Sequence, residues 1–163
     1  MHLSINFGNI YCMKSSSSMA DEHCHLFNIT KNYTAADIAA FHGHLGPFIV
    51  LGYRMGRYAR DHFCDDPFSL KAIVHCSGIP PESCVVDGVQ LGSGCTLGKR
   101  NIELVVSSKV RCEFACNGRT LVLTPKPYTP PSRDTPHYEA AIEHFAEELF
   151  HKPDAELFST GQA

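Results

Sequence analysis

The sequence predicts an α+β domain in which N-terminal helices pack on a mostly antiparallel sheet and a C-terminal helix closes the fold. Three observations carry that expectation. Apolar residues recur at helical spacing between Thr34 and Phe63, residues 101–126 are rich in β-branched and alternating apolar side chains, and an amphipathic stretch, "HYEAAIEHFAEELF", follows a proline-rich connector. At 163 residues with 44% apolar side chains, the chain is long enough for one core of ordinary density.

The elements follow in order. Residues 1–30 mix small polar groups, a serine run and "DEHCHLF" without periodicity, so a flexible N-terminal arm is expected ahead of a single domain over 31–163. His23, Cys24 and His25 in that arm are soft donors, yet three adjacent side chains rarely converge on an ion without a scaffold. In "TAADIAAFH", Thr34 can cap the first amides, Asp37 sits in the first turn, and Ile38 and Phe41 mark an apolar face. Gly43 stops that helix. A second restarts after Gly46 with Pro47 at its first position, where the missing N–H costs nothing, and continues through "FIVLGYRMGRYARDHF". Its first half is apolar on nearly every side, which predicts a buried central helix, and Gly52 and Gly56, four apart, invite close approach of another backbone.

"LKAIVHC" reads as a strand, and "PPESCVVDGVQLG" as a proline-started helix over 81–92 with Val85, Val86 and Val89 on the buried face and Cys84, Asp87, Gly88 and Leu91 opposite. Residues 101–126 then read as strands, with Asn117-Gly118 as a type I′ hairpin turn. Cys112, Phe114 and Cys116 alternate and so share one face, most simply the core. "PKPYTPPSRDTP" is an extended connector, and the closing helix carries Ile142, Phe145, Ala146 and Leu149 on one stripe, as a lid on the sheet.

Composition excludes several classes of function. A net charge of −3 with no long basic run leaves no footprint for nucleic acid. No apolar run approaches the roughly twenty residues that cross a bilayer, and the first residues lack a signal peptide's basic flank and apolar stretch, so a cytoplasmic protein is expected. In such a reducing compartment the eight cysteines are expected as free thiols, buried thiols or metal ligands rather than disulfides. No CxxC pair occurs, which argues against a zinc ribbon and a thioredoxin-type centre.

Chemistry concentrates in three stretches. "GSGCTLGKRN", residues 92–101, has the look of a phosphate loop but fails its spacing: Gly94 is one residue too close to the Gly-Lys pair, Gly92 one too far, and Arg100 replaces the hydroxyl that would reach magnesium. Upstream, His42 and His44 sit at a helix junction, where they either cap carbonyls or bind a metal. Cys84 and Asp87 occupy the outward face of the 81–92 helix, flanked by Gln90. The positive end of that helix is expected to lower the Cys84 thiol pKa and favour the thiolate, although a plain solvated face is the alternative. Cys95, Thr96, Lys99 and Asn101 follow, with Lys99 either anchoring an anion or standing free in solvent.

Four runs of residues together resemble the FmdE-like family of formylmethanofuran dehydrogenase components: Phe41-His42-Gly43-His44-Leu45-Gly46-Pro47, Gly52-Tyr53-Arg54-Met55, Cys84-Val85-Val86-Asp87-Gly88-Val89-Gln90, and Gly94 through Asn101. The likeness covers about residues 34–125, with "ELFHKPDAELF" resembling the family's tail. It implies an α+β core that dimerises and a pocket able to hold a metal. By the same resemblance, His42, His44 and Cys84 become ligand candidates. Asp87, Gln90, Cys95, Thr96, Lys99 and Asn101 become pocket residues, and "GCTLGKRN" becomes a loop closing over them. Two departures stand out. Many relatives carry a cysteine where this chain has Gly46, so a ligand is missing or supplied by Cys76, and the cysteine pairs of the zinc finger found in some relatives are absent.

Sulfur and imidazole suit a divalent transition metal, zinc first, with nickel or iron also compatible. The function expected from the resemblance is a metal-binding accessory of a molybdenum or tungsten formylmethanofuran dehydrogenase or related anaerobic enzyme. The alternative is a stand-alone metal- or thiolate-dependent enzyme for a small anionic carbonyl or formyl compound, with Cys84 and Asp87 as catalytic groups. An assembly scaffold without chemistry is a third reading, one that leaves the polar cluster unexplained.

Overall fold

The computed structural model of the chain describes residues 32–161, so the arm with Cys12, His23, Cys24 and His25 lies outside the described residues. Helix α1, Ala35–His42, begins with a reciprocal cap: the Asp37 amide donates to Thr34 Oγ1 at 3.1 Å, and the Thr34 amide donates to Asp37 Oδ2 at 2.9 Å. It ends at Gly43, whose φ of 91° is open to glycine at no steric cost. Ile38 is fully buried, but Phe41, expected on the same face, is 56% exposed. Spacing names a helix face without saying how far the neighbouring helix extends along it.

Helix α2, Pro47–His62, has its proline at the first turn as expected and is buried almost continuously from Ile49 to Gly56. Strand β1, Lys71–Cys76, is followed by a 3₁₀ turn at Glu82–Cys84, helix α3 at Val85–Ser93 and strand β2 at Ile102–Val106. This is a β-α-β crossover, and β2 accordingly lies parallel to β1, with Ala72 opposite Ile102. Strands β3, Arg111–Cys116, and β4, Arg119–Pro125, form the hairpin. Asn117 and Gly118 both have positive φ, 51° and 74°, as a type I′ turn requires.

Helix α4, Tyr138–His151, precedes two elements for which the sequence carries no local signal: a short helix α5 at Asp154–Leu157 and a strand β5 at Phe158–Gly161. The sheet order is β2-β1-β3-β4-β5, and every pair except β1–β2 is antiparallel. Ala72, Val74, Cys112, Phe114, Cys116 and Leu123 point from the sheet into the core. The fold class is therefore α+β.

The closest packing is between α2 and α3, and glycine makes it possible. A Cβ at Gly52 would lie 2.1 Å from the Val85 carbonyl oxygen, and one at Gly88 would lie 2.1 Å from that of Ile49. Gly92 would meet the Tyr53 oxygen at 2.2 Å, and Gly56 the Ser93 amide at 2.7 Å. Two glycine pairs, each four residues apart, thus face one another across the helix crossing. This corrects the expected orientation of α3: Gly88 belongs to the buried face with Val85 and Val89, whereas Val86 is only partly buried.

Two further corrections concern the periphery. Helix α4 packs chiefly against α2 rather than lying on the sheet. Buried Arg54 on α2 holds this end in place, donating to the Phe150 carbonyl and pairing with Asp154. Cys64 and Cys116, expected as free or ligating thiols, are joined in a disulfide that ties the loop after α2 to the end of β3. No described helix is long and apolar enough to cross a membrane.

Candidate functional site

The end of α1 meets the first turn of α3. His42, the last residue of α1, points its Nδ1 at Asp87 Oδ2, 2.9 Å away and 45 residues along the chain. A carboxylate only accepts, so in the neutral ring Nδ1 carries the proton and Nε2 presents its lone pair. That Nε2 is buried and has no hydrogen-bond partner among the described residues. A buried nitrogen left unpaired costs about 1–3 kcal/mol unless something else satisfies it. The His44 ring lies beside it, with centroids 4.7 Å apart and planes tilted by 39°.

Cys84 sits one helical turn before Asp87 and is half-buried. Its thiol pKa is raised above the ordinary value, first by burial and then by the Asp87 charge, which reverses the expected lowering. The reason is local: a 3₁₀ turn ends at Cys84, and its own amide offsets only part of the desolvation. The resting state at neutral pH is therefore a thiol.

Gln90 extends the cluster along α3. Its Nε2 lies 3.5 Å from Asp87 Oδ1, while its Oε1 accepts from the Leu97 amide at 3.1 Å. The rest of the 92–101 loop is fastened elsewhere. The Thr96 amide donates to Asn101 Oδ1 at 2.9 Å, and Asn101 Nδ2 reaches the Pro67 and Leu70 carbonyls at 3.0 Å each. Lys99 Nζ donates to the Pro67 carbonyl at 3.1 Å and lies over the Phe68 ring. Cys95 is wholly buried, gives its S–H to the Leu70 carbonyl, and has its pKa raised chiefly by burial.

The structure thus brings His42 against Asp87 and His44, sets Gln90 beside Asp87 with Cys84 one turn before it on α3, and turns Cys95, Thr96, Lys99 and Asn101 to bracing the loop against the start of β1. Cys76 is fully buried in the core beside Cys112, whose thiol is held protonated by burial. Among the described residues, no three His, Cys, Asp or Glu side chains stand arranged to hold an ion as placed. The 42–87 pairing is invisible in the sequence. The matching glycine spacings of α2 and α3 are the available signal that these helices touch.

Comparison with known proteins adds a family and a relative. The family described as "FmdE, Molybdenum formylmethanofuran dehydrogenase operon" matches residues 41–159, and so takes in both histidines, α3 and strands β1 to β4. A protein of Archaeoglobus fulgidus named "Probable S-adenosyl-L-methionine-binding protein" is 38% identical over 69 residues. That stretch is 38% of this chain and 18% of the relative, so the chain spans under a fifth of that relative's length.

Proposed function

The chain belongs to the FmdE family, and from that premise we propose that the corner of α1 and α3 binds one divalent transition ion in a protein serving a molybdenum or tungsten formylmethanofuran dehydrogenase or a related anaerobic enzyme. The observation that carries the reading is His42: Nδ1 committed to a carboxylate, Nε2 buried and without a partner among the described residues. Metal-bound imidazoles characteristically donate their other N–H to such a carboxylate, which sets the tautomer and the ring plane.

His44 is the second donor. With metal–nitrogen bonds of about 2.0–2.1 Å, two imidazoles on one tetrahedral ion have ring centres about 5 Å apart, close to the 4.7 Å found here. Cys84, one helical turn before Asp87, is proposed as the third, losing its proton to solvent on binding. Two nitrogens and a sulfur suit zinc, with nickel or iron as the other choices. When bound, the ion would act as a Lewis acid toward a carbonyl or formyl oxygen. Asp87 holds the His42 ring, and Gln90 braces Asp87 from the side of the loop. In this reading the protein works in the cytoplasm as a homodimer.

The test is metal content after anaerobic purification. Wild-type protein and Lys99→Ala are expected to hold about one equivalent per chain, His42→Ala and Cys84→Ala to lose it, and Asp87→Asn to bind about 10–100-fold more weakly. Equal content in all of these variants would remove the site. The accessory role is tested by affinity capture of the tagged protein, with the dehydrogenase expected among the co-purifying proteins.

A further inference from the structure

In a cytoplasm, the compartment proposed above, disulfides are characteristically transient and catalytic or redox-sensing, because thiol pools keep cysteines reduced there. We propose that the Cys64–Cys116 bond is a redox-sensitive tether: an external dithiol opens it, and the opening frees the loop over 94–101 from its support. The inference rests on the cytoplasmic part of that reading and not on the ion. Two observations carry it.

The first is a relay of contacts. The disulfide joins Cys64, just after α2, to Cys116, the last residue of β3. Two residues beyond Cys64, Asp66 folds the segment into a turn, accepting from the Phe68 amide at 2.9 Å and from the Ser69 hydroxyl. Pro67 then carries the loop, its carbonyl accepting from both Lys99 Nζ and Asn101 Nδ2. From there Asn101 Oδ1 holds the Thr96 amide, and the Leu97 amide reaches Gln90, which stands beside Asp87. The support of the loop is thus a segment anchored to the sheet through sulfur.

The second is the placement of the two sulfurs. Cys116 is only 3% exposed, whereas Cys64 is half-buried at the surface, so an incoming thiolate meets Cys64 Sγ. It bonds to that sulfur, the S–S bond breaks, and Cys116 leaves as a thiolate that takes up a proton. The second thiol of the reagent then displaces Cys64, which also takes up a proton, and the reagent departs as its own disulfide. Two electrons and two protons pass from dithiol to protein. The hairpin keeps a grip through Arg119, which donates to the Phe63 carbonyl at 3.2 Å and lies over the Phe63 ring, an exposed contact that is weak in water.

Peptide mapping and hydrogen exchange test this on protein purified in air and then either treated with dithiothreitol under native conditions or left alone. A maleimide is expected to spare Cys64 and Cys116 in the untreated protein and to label both after treatment. Treatment should speed exchange at the Thr96 and Leu97 amides at least about tenfold, while the pairing of β3 with β4 at Cys112 and Leu123 stays as protected as before. Cys64→Ser should show the fast rate with or without dithiol; if that variant does not fold, the two states of the wild type decide. Labelling of both cysteines before treatment would overturn the tether. A bond that opens only in denaturant would do so too, as would an opened bond that leaves Thr96 and Leu97 unmoved. No readout involves a metal, so failure here leaves the ion reading standing, and protein that binds no ion leaves the tether standing.

Discussion

Adding a single methyl group at Gly88 probes the contact on which the site is built. The new Cβ would lie 2.1 Å from the Ile49 oxygen and 2.5 Å from the Tyr53 amide nitrogen, both backbone atoms that cannot rotate away. Restoring a carbon–oxygen contact of about 3.3 Å requires α2 and α3 to part by about 1 Å. A gap of that size forfeits a quarter to a half of the dispersion energy at each contact it opens. The residues involved, Val85, Val89, Ile49 and Tyr53, are all fully buried. Overpacking of this kind costs about 1–3 kcal/mol, and rigid backbone on both sides places Gly88→Ala at the upper end. For a domain of this size that is a fall in Tm of about 10 °C. Asp87 moves with its neighbour, so the His42–Asp87 bond should lengthen. Calorimetry and urea unfolding followed by far-UV circular dichroism measure the cost. The control is Gly98→Ala, where a Cβ meets nothing within 4 Å, and its stability should stay within about 0.5 kcal/mol of wild type. A Gly88→Ala protein as stable as Gly98→Ala would refute the close-packed crossing.

Two other outcomes follow from single residues. Arg54→Met should destabilise the fold by about 3 kcal/mol, because Asp154 loses its partner and the Phe150 carbonyl its donor; hydrogen exchange should quicken in α5 and β5, and unchanged protection there would contradict the anchoring role. Alkylation of Cys84 should show a midpoint above the ordinary thiol value of 9.0, since burial and the Asp87 charge both disfavour the thiolate. Asp87→Asn removes the charge, so its midpoint should fall and its rate below the midpoint should rise; Cys84→Ser identifies the reacting thiol, and an unmoved profile would show that Asp87 does not act on it.

Local signals are the readable part of the fold. Thr34 with Asp37, Gly43, Pro47 and Asn117-Gly118 each act within four residues through capping, fixed φ or positive φ, and each stands where the sequence places it. Strand β5 is not legible because "FSTG" is too short to show alternation, and what makes it a strand is its pairing with β4. The Cys84 thiol departs from expectation because the helix-end argument omits desolvation and a carboxylate one turn away.

At the site, residue types are legible and geometry is not. The sequence by itself determined the α+β class, the order of most elements, the family and the inventory of imidazole, thiol, carboxylate and amide groups. Only the tertiary structure decided that His42 faces Asp87, that Gly88 turns inward, and that Cys95, Lys99 and Asn101 brace a loop. Caps and turns are settled by neighbours along the chain. Which side chains meet across 45 residues, as His42 of α1 and Asp87 of α3 do, depends on how separate helices are placed in space, and four missing Cβ atoms set one such placement, the close crossing of α2 and α3.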